Sequence, residues 1–158
     1  MASPRLSTAG MTLQYAVETS AGTRPTTGYT KIPEVKSMPS FNPSPNTIDS
    51  TTLEETEYMT YVQGLKDLGG ALECGSSLTE DLVYAWDTLR GAYDTAGGGG
   101  KQVWFAVVHP QLADATYFVG TPAPLGLNEA SVGSMLGTTL YITPNSAPVM
   151  AAKPTEEP

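Results

Sequence analysis

Four consecutive glycines, Gly97 to Gly100, divide the strongest helical pattern of the sequence from its strongest strand pattern. Consecutive glycines lose too much backbone entropy to remain helical, so the helix is predicted to end before Gly97. It is predicted to begin at a capping box made by Ser77 and Glu80, giving a helix over about residues 78–94. One apolar stripe at helical spacing supports it, formed by Leu82, Trp86, Leu89 and Tyr93.

Short strand patterns occupy much of the remaining chain. The run 103–108 is apolar on both faces, which predicts a strand that is covered on both sides. In the run 71–76, Leu72 and Cys74 alternate with Glu73, which predicts a strand with one buried face. The fold class predicted is mainly β, an antiparallel β-sandwich or barrel with one α-helix packed against it. Further strands are predicted at 12–17, 31–36 (an edge strand, because of Pro33), 47–50, 115–120 and 138–143.

The length of 158 residues favours one domain, which we place at residues 1–150. Residues 1–27 are expected to form an N-terminal arm with the first strand, and three prolines predict a turn or loop over 38–46. Residues 51–60 contain three Glu and no usable period, which indicates a long exposed loop. The chain is expected to fray from residue 145 onward, with 151–158 lying beyond the domain.

The negative charge of the chain lies in its middle third. The net charge is −8, and the span from Asp49 to Asp94 holds ten acids and two bases. This balance excludes a basic nucleic-acid-binding protein. Charged residues make up only 15% of the chain against about 25% in average usage, and Gly and Pro are abundant, which excludes a coiled coil or helical bundle. The acids are either a solvated surface or a field that repels polyanions and attracts basic partners.

The sequence contains no arrangement typical of an active site. His109 is the only histidine and precedes Pro110, so it is expected to be a loop residue. Cys74 is the only cysteine and is expected to be a small buried residue of a strand. We therefore predict no catalytic residues, no metal site, no cofactor and no enzymatic activity. We also expect no membrane span and no signal peptide, because no apolar run is long enough for either.

From about Gly28 to Pro148 the chain resembles the major tail tube proteins of long-tailed, siphovirus-type bacteriophages. The resemblance lies in the order of several sequence blocks around an acidic loop and a helix that begins near Thr79. These blocks are Ile32-Pro33-Glu34-Val35, Ile48-Asp49-Ser50-Thr51, Tyr61-Val62-Gln63-Gly64-Leu65-Lys66-Asp67-Leu68-Gly69, Val103-Trp104-Phe105, Tyr117-Phe118-Val119-Gly120 and Thr139-Leu140-Tyr141-Ile142.

The resemblance implies a structural virion protein that forms hexameric rings, which stack into a tail tube around a channel for the genome. Its partners would be further copies and other tail proteins, namely the tape measure, the tail tip and the terminator. DNA would pass without specific binding, and the protein would be made in the host cytoplasm and reside in the virion tail. Candidate residues of an inter-ring assembly loop are Thr52, Leu53, Glu54, Glu55, Thr56, Glu57 and Tyr58, and candidate channel-lining acids are Asp49 and Glu73.

Two other classes of protein fit the same sequence. One is a different virion β-domain, such as a head decoration or tail-terminator protein, which would form closed oligomers without polymerising. The other is a carbohydrate-binding β-sandwich module, for which the adjacent Trp104 and Phe105 would supply stacking surfaces. Self-assembly would favour the tube protein, whereas a sugar-induced rise in melting temperature would favour the carbohydrate-binding module.

Overall fold

The computed structural model describes residues 5–7, 9–40, 42, 44–67 and 70–154. The chain divides into two compact units: Met1–Pro39 together with Ala71–Pro158, here called the main unit, and Ser40–Gly70, here called the hairpin unit. Each unit has its own sheet. In chain order the elements are β1 (Thr12–Val17), β2 (Thr30–Lys31), β3 (Ser44–Asp49), β4 (Tyr61–Asp67), β5 (Leu72–Ser77), α1 (Glu80–Gly98), β6 (Val103–Val108), β7 (Asp114–Pro122), β8 (Gly137–Pro144) and β9 (Val149–Ala152).

The main unit is a seven-stranded antiparallel sheet with the order β2-β1-β6-β7-β8-β5, and β9 pairs with β7. The sheet is curled, and α1 contacts β1 and β7. The prediction of a mainly β, antiparallel fold with one helix is confirmed for the described part of the chain. The hairpin unit is the two-stranded antiparallel sheet β3-β4.

Strand β7 connects two parts of the curled sheet. Its residues 116–119 pair with β6, and its residues 120–122 pair with β8. At the junction, a Cβ atom on Gly120 would lie 2.6 Å from Cγ2 of Ile142 and 3.2 Å from Cε2 of Phe105. Only glycine fits this approach without a shift of the neighbouring side chains, so Gly120 permits the close packing at this junction.

Residues 30–37 connect the two edges of the sheet. Thr30 and Lys31 pair with β1, and the buried Ile32 donates its N–H to Leu13 O at 2.9 Å. Beyond Pro33 the chain turns at Glu34, which has φ of 65°, and reaches the outer edge of β5. There the amides of Lys36 and Ser37 both donate to Gly75 O, and Ser77 N donates to Glu34 O. The segment thereby occupies hydrogen-bonding groups that an exposed edge would otherwise offer to another chain.

The core lies on both faces of the central strands. Phe105 and Phe118 are register partners whose rings stack with centroids 5.5 Å apart and an interplanar angle of 18°. On the other face, Ala106, Ala115 and Tyr117 form a second buried cluster. The predicted strand covered on both sides is therefore confirmed at β6.

The helix packs through the predicted stripe. Leu82, Trp86 and Leu89 are completely buried. The Trp86 indole N–H donates to Ala123 O at 2.8 Å, and the Tyr93 and Thr121 hydroxyls lie 3.1 Å apart. Both contacts join the helix to the end of β7 and the residue that follows it.

Both predicted ends of the helix need correction. Its N-cap is Thr79, whose hydroxyl accepts from Leu82 N at 3.2 Å, and not Ser77, which is the last residue of β5. The helix continues through Gly97 and ends at Gly98. Gly100 then adopts φ of 73°, and Lys101 N donates to Ala96 O at 2.9 Å. The glycine run thus contributes the last helical residues as well as the left-handed residue that stops the helix.

Two strands extend into segments that the sequence predicts to be irregular. β3 begins at Ser44, inside the predicted turn, and its register with β4 shifts between Pro45 and Thr47. Such an irregularity lets a strand accommodate a residue without an N–H. The fraying predicted from residue 145 onward is corrected at residues 149–152, which form β9 and pair with β7; of these, 151 and 152 belong to the tail placed beyond the domain. Residues 155–158 lie outside the described part of the chain.

Candidate assembly surface

The hairpin unit exposes large apolar side chains on both of its faces. Ile48 pairs with Val62 across the two strands, and these side chains are 59% and 55% exposed. Alternation along β4 places Tyr61 and Leu65 on the opposite face, and both are exposed too. A two-stranded hairpin is marginally stable by itself in water, and contiguous exposed apolar surface marks interaction sites. The hairpin unit therefore has the properties of a surface that another protein covers.

The loop between β3 and β4 begins at a hydrogen-bonded neck. Ser50 N donates to Thr60 O at 2.9 Å, and Thr60 N donates to the Thr51 hydroxyl oxygen at 2.8 Å. Thr51 N also donates to Oδ1 of Asp49 at 2.9 Å. These bonds fix the two ends of the loop to each other, so that residues 52–59 extend from a defined base.

Residues 52–59 are all exposed, and they contain every residue predicted for the assembly loop. The structure places three carboxylates on this short segment, those of Glu54, Glu55 and Glu57. Leu53 and Tyr58 flank them and are 105% and 80% exposed. The loop therefore combines negative charge with apolar side chains that have no intramolecular packing to explain them.

The two candidate channel-lining acids occupy strands of different units. Asp49 is the last residue of β3, at the neck of the loop, where the side chain and amide of Thr51 lower the pKa of its carboxyl. Glu73 is exposed in β5, opposite Tyr141 of β8, while its neighbours Leu72 and Cys74 point into the core. Both carboxylates are available to solvent; which of them faces a channel stays a prediction.

The sequence interpretation missed a second exposed apolar segment. The connection between β7 and β8 carries Leu127, Val132 and Met135, each at least 73% exposed. Tyr84 of α1 is also exposed and lines a groove of about 460 Å³ with Leu78, Val83 and Leu136. The signal in the sequence was five large apolar residues, at 125, 127, 132, 135 and 136, within a stretch that otherwise has the composition of a Gly/Pro-rich connection.

The chemically versatile side chains of the main unit make structural contacts. His109 is buried, and its Nδ1 accepts from Gln111 N while its Nε2 lies 2.6 Å from Ser7 O, to which it donates. Cys74 is buried in β5 as predicted, and burial raises the pKa of its thiol to about 11. Within the described ranges no group of three or more His, Cys, Asp or Glu is placed to hold a metal ion.

Glu18 is a buried acid that the sequence interpretation did not single out. Its Oε1 accepts from Gln102 N at 2.7 Å and its Oε2 accepts from the Trp104 indole N–H at 3.0 Å. Burial would raise the pKa of this carboxyl, but the bonds from Trp104, Gln102 and the Gly22 amide outweigh it and the pKa is lowered. Glu18 therefore ties the residue after β1 to the start of β6 as a carboxylate.

In the part of the chain that the structure describes, no helix is long and apolar enough to cross a membrane.

Comparison with known proteins shows the fold. The chain matches a protein in the cryo-EM structure of the anti-feeding prophage baseplate, 6-fold symmetrised, with a TM-score of 0.60 and 12% identity, covering 96% of this chain and 98% of the other. It also matches a chain of the sheath-tube complex of an extracellular contractile injection system, PVC, in the extended state. This match has a TM-score of 0.51 and 12% identity, and it covers 89% of this chain and 88% of the other. No family model and no curated protein sequence matches the chain.

Proposed function

We propose that the protein is a structural subunit of a phage-tail-type particle, in which hexameric rings of this chain stack into a tail tube. The observation that carries the proposal is the fold match over nearly the whole length of both chains to a protein of a prophage baseplate. A second match, to a chain of a sheath-tube complex, also covers most of both chains. The matched chains come from large tail-like assemblies, which supports a role in assembly for this chain.

The surface of the chain supports the same role. The hairpin unit offers apolar side chains on both faces, and its loop carries three exposed carboxylates beside Leu53 and Tyr58. Such surface is costly to leave in water and is explained when neighbouring subunits cover it. In this proposal the loop residues 52–58 contact the neighbouring ring.

The charge of the chain suits a channel for DNA. Duplex DNA carries one negative charge per about 1.7 Å of its axis, so a basic wall would bind it by counterion release. An acidic wall repels the polyanion and lets it slide. With a net charge of −8, the chain can supply such a wall, and Asp49 and Glu73 remain our candidates to line it.

The proposal assigns no enzymatic reaction to the protein. Its partners are further copies of the chain and other tail proteins, namely the tape measure, the tail tip and the terminator. It would be made in the host cytoplasm and then reside in the tail of the virion. The alternative within the same class is a head decoration or tail-terminator protein, which would form a closed oligomer without polymerising.

Assembly of the purified protein tests the proposal. Concentrated protein is examined by negative-stain electron microscopy and light scattering, beside a variant that lacks residues 54–58. We expect tubes or six-fold rings from the unmodified chain. The shortened loop should leave the circular dichroism spectrum and melting temperature unchanged, because the deleted residues are exposed, but it should abolish stacking.

A control substitution outside the loop tests whether the loss of any exposed apolar side chain impairs stacking. Leu112→Ser lies in the connection between β6 and β7, outside both exposed apolar segments, and is expected to leave stacking unchanged. Normal tubes from the chain lacking 54–58 would refute the role of the loop. A stable trimer of the unmodified protein would refute the tube and favour a decoration protein.

A further inference from the structure

A groove of about 750 Å³ lies on the main unit where β1 and β2 meet the ends of β6 and β9. Its volume is in the range that holds a drug-sized group, which corresponds to a short segment of chain rather than a folded domain. Its walls combine polar and apolar side chains. They include Thr12, Gln14, Tyr29, Lys31, Val108 and Lys153.

The groove is cationic. Lys31 is exposed on β2, and the Nζ of Lys153 donates to Pro110 O at 3.1 Å, which holds this ammonium group at the wall. No carboxylate is among the described residues that line it. Behind Tyr29, the guanidinium of Arg24 lies 4.5 Å from the centre of the Tyr117 ring. Arg24 and Asp114 act on Tyr117 with opposite charges and neither lines the groove, so its positive charge is that of Lys31 and Lys153.

Another groove of the main unit has the opposite charge. The groove at the start of α1 is lined by Glu80 and Asp87 together with Tyr84 and Leu136. An acidic segment would be repelled there and attracted to the groove of Lys31 and Lys153. Charge therefore distinguishes between the two concave surfaces.

We infer that the groove of Lys31 and Lys153 receives residues 52–58 of a second copy of the chain. The segment carries Glu54, Glu55 and Glu57, and its exposed Leu53 and Tyr58 match the apolar walls formed by Val108 and Pro110. The inference rests on the proposed stacking function and supplies the receiving surface for the loop. Because the loop and the groove are different surfaces of one chain, the contact is head-to-tail and repeats from copy to copy.

Charge exchange tests the contact. Lys31→Glu with Lys153→Glu should raise the critical concentration for assembly about tenfold, which corresponds to about 1.4 kcal/mol, because attraction to the loop carboxylates is replaced by repulsion between like charges. Glu54→Lys, Glu55→Lys and Glu57→Lys together should have a similar effect. The chain with all five substitutions should assemble within about threefold of the unmodified protein, because attraction is restored with the signs exchanged.

A matched control makes the same change in net charge away from the groove. Arg5→Glu with Lys36→Glu alters two exposed cations that do not line it and should leave the critical concentration within about threefold. The rise in critical concentration caused by Lys31→Glu with Lys153→Glu should also become smaller as the salt concentration rises from 0.05 to 0.5 M. Over this range the Debye length falls below about 10 Å and screens the charges.

Disulfide trapping separates this inference from the proposed function. Glu55→Cys and Lys153→Cys, made in separate chains and mixed, should form a mixed dimer, whereas Glu55→Cys with Lys36→Cys should not. Native Cys74 is buried and does not compete. A trapped dimer without tubes would support the groove contact and refute the tube. Tubes unaffected by all charge reversals, or the absence of the trapped dimer, would overturn the inference and leave the tube proposal standing.

The chain's own last residues are the other possible occupant, because Glu156 and Glu157 follow Pro154 at the wall of the groove. The charge reversals are therefore repeated in a chain that ends at Pro154. We expect the same tenfold effect there. Its loss in the shortened chain would assign the groove to the chain's own end and overturn the inference.

Discussion

Gly120→Ala tests how much the close packing around Gly120 of β7 contributes to the stability of the protein. The added methyl group would lie 2.6 Å from Cγ2 of Ile142 and 3.2 and 3.3 Å from two ring carbons of Phe105. Ile142 and Phe105 are themselves fully buried, so the methyl group can be accommodated only by shifting core side chains. Overpacking of this kind costs about 1–3 kcal/mol.

An effect of the substitution on the unfolded chain offsets part of this overpacking penalty. Replacing glycine by alanine stabilises a protein by about 0.4–1 kcal/mol where the backbone allows it, because the unfolded chain loses freedom. We therefore expect Gly120→Ala to lower the free energy of unfolding by about 1–2 kcal/mol. For a protein of this length, the melting temperature should fall by roughly 2–8 °C.

Urea unfolding followed by circular dichroism measures the effect. Gly91→Ala is the matched control, since a Cβ atom there meets nothing within 4 Å on the exposed side of α1. Alanine is favoured over glycine in a helix, so the control should gain about 0.8–1 kcal/mol. In an Ile142→Ala background the penalty at Gly120 should largely vanish. A Gly120→Ala protein as stable as the unmodified one would refute the packing argument.

The other predictions concern single contacts of the main unit. Glu18→Gln should change the pH dependence of stability. Because the folded-state pKa of Glu18 lies below its ordinary value of 4.5, its stabilisation is present above pH 4.5 and is lost as pH falls through the folded-state pKa. The unmodified protein should therefore lose stability relative to Glu18→Gln in urea titrations from pH 6 to 3; a constant difference would contradict the assignment. Thr79→Ala should lower the free energy of unfolding by about 1 kcal/mol through loss of the N-cap, whereas Ser77→Ala should lower it by less. If thermal melts show Ser77→Ala to be the less stable variant, the helix is capped by Ser77 and this assignment is wrong.

The strands with strong apolar patterns, alternating or continuous, could be predicted from the sequence because the burial of a strand determines which of its side chains are apolar. β1 and β6 have the predicted bounds of 12–17 and 103–108, and β5 lies within one residue of its predicted bounds. β9 could not be predicted, because its pattern is weak and it depends on a partner: residues 149–152 are a strand since β7 extends far enough to pair with them. Pairing between distant segments is not encoded in either segment alone.

The N-cap shows how tertiary structure decides between equal local signals. Ser77 and Thr79 both offer a hydroxyl to an amide near the start of α1. Ser77 is already part of β5, where it pairs with Gly137 and donates its N–H to Glu34 O. Thr79 is the first hydroxyl residue beyond the strand and takes the cap.

The exposed loop could be predicted from its acids and its lack of periodicity, but the cationic groove could not. Its lysines, Lys31 and Lys153, are 122 positions apart in the chain and are brought to one groove by the strand order of the sheet. No local pattern marks such a site, because each lysine alone is typical of a solvated surface.

The pairing of β1 with β6 has a consequence for synthesis of the chain. Val17 pairs with Val103, which the ribosome adds 86 residues later. At about 5–20 residues per second, β1 waits roughly 4–17 s for its partner. Within this interval the ribosome adds the segment from Asp49 to Asp94, with its ten acids and two bases. Because like charges repel, we expect this segment to disfavour association of incomplete chains on a polysome while the seven-stranded sheet is still open.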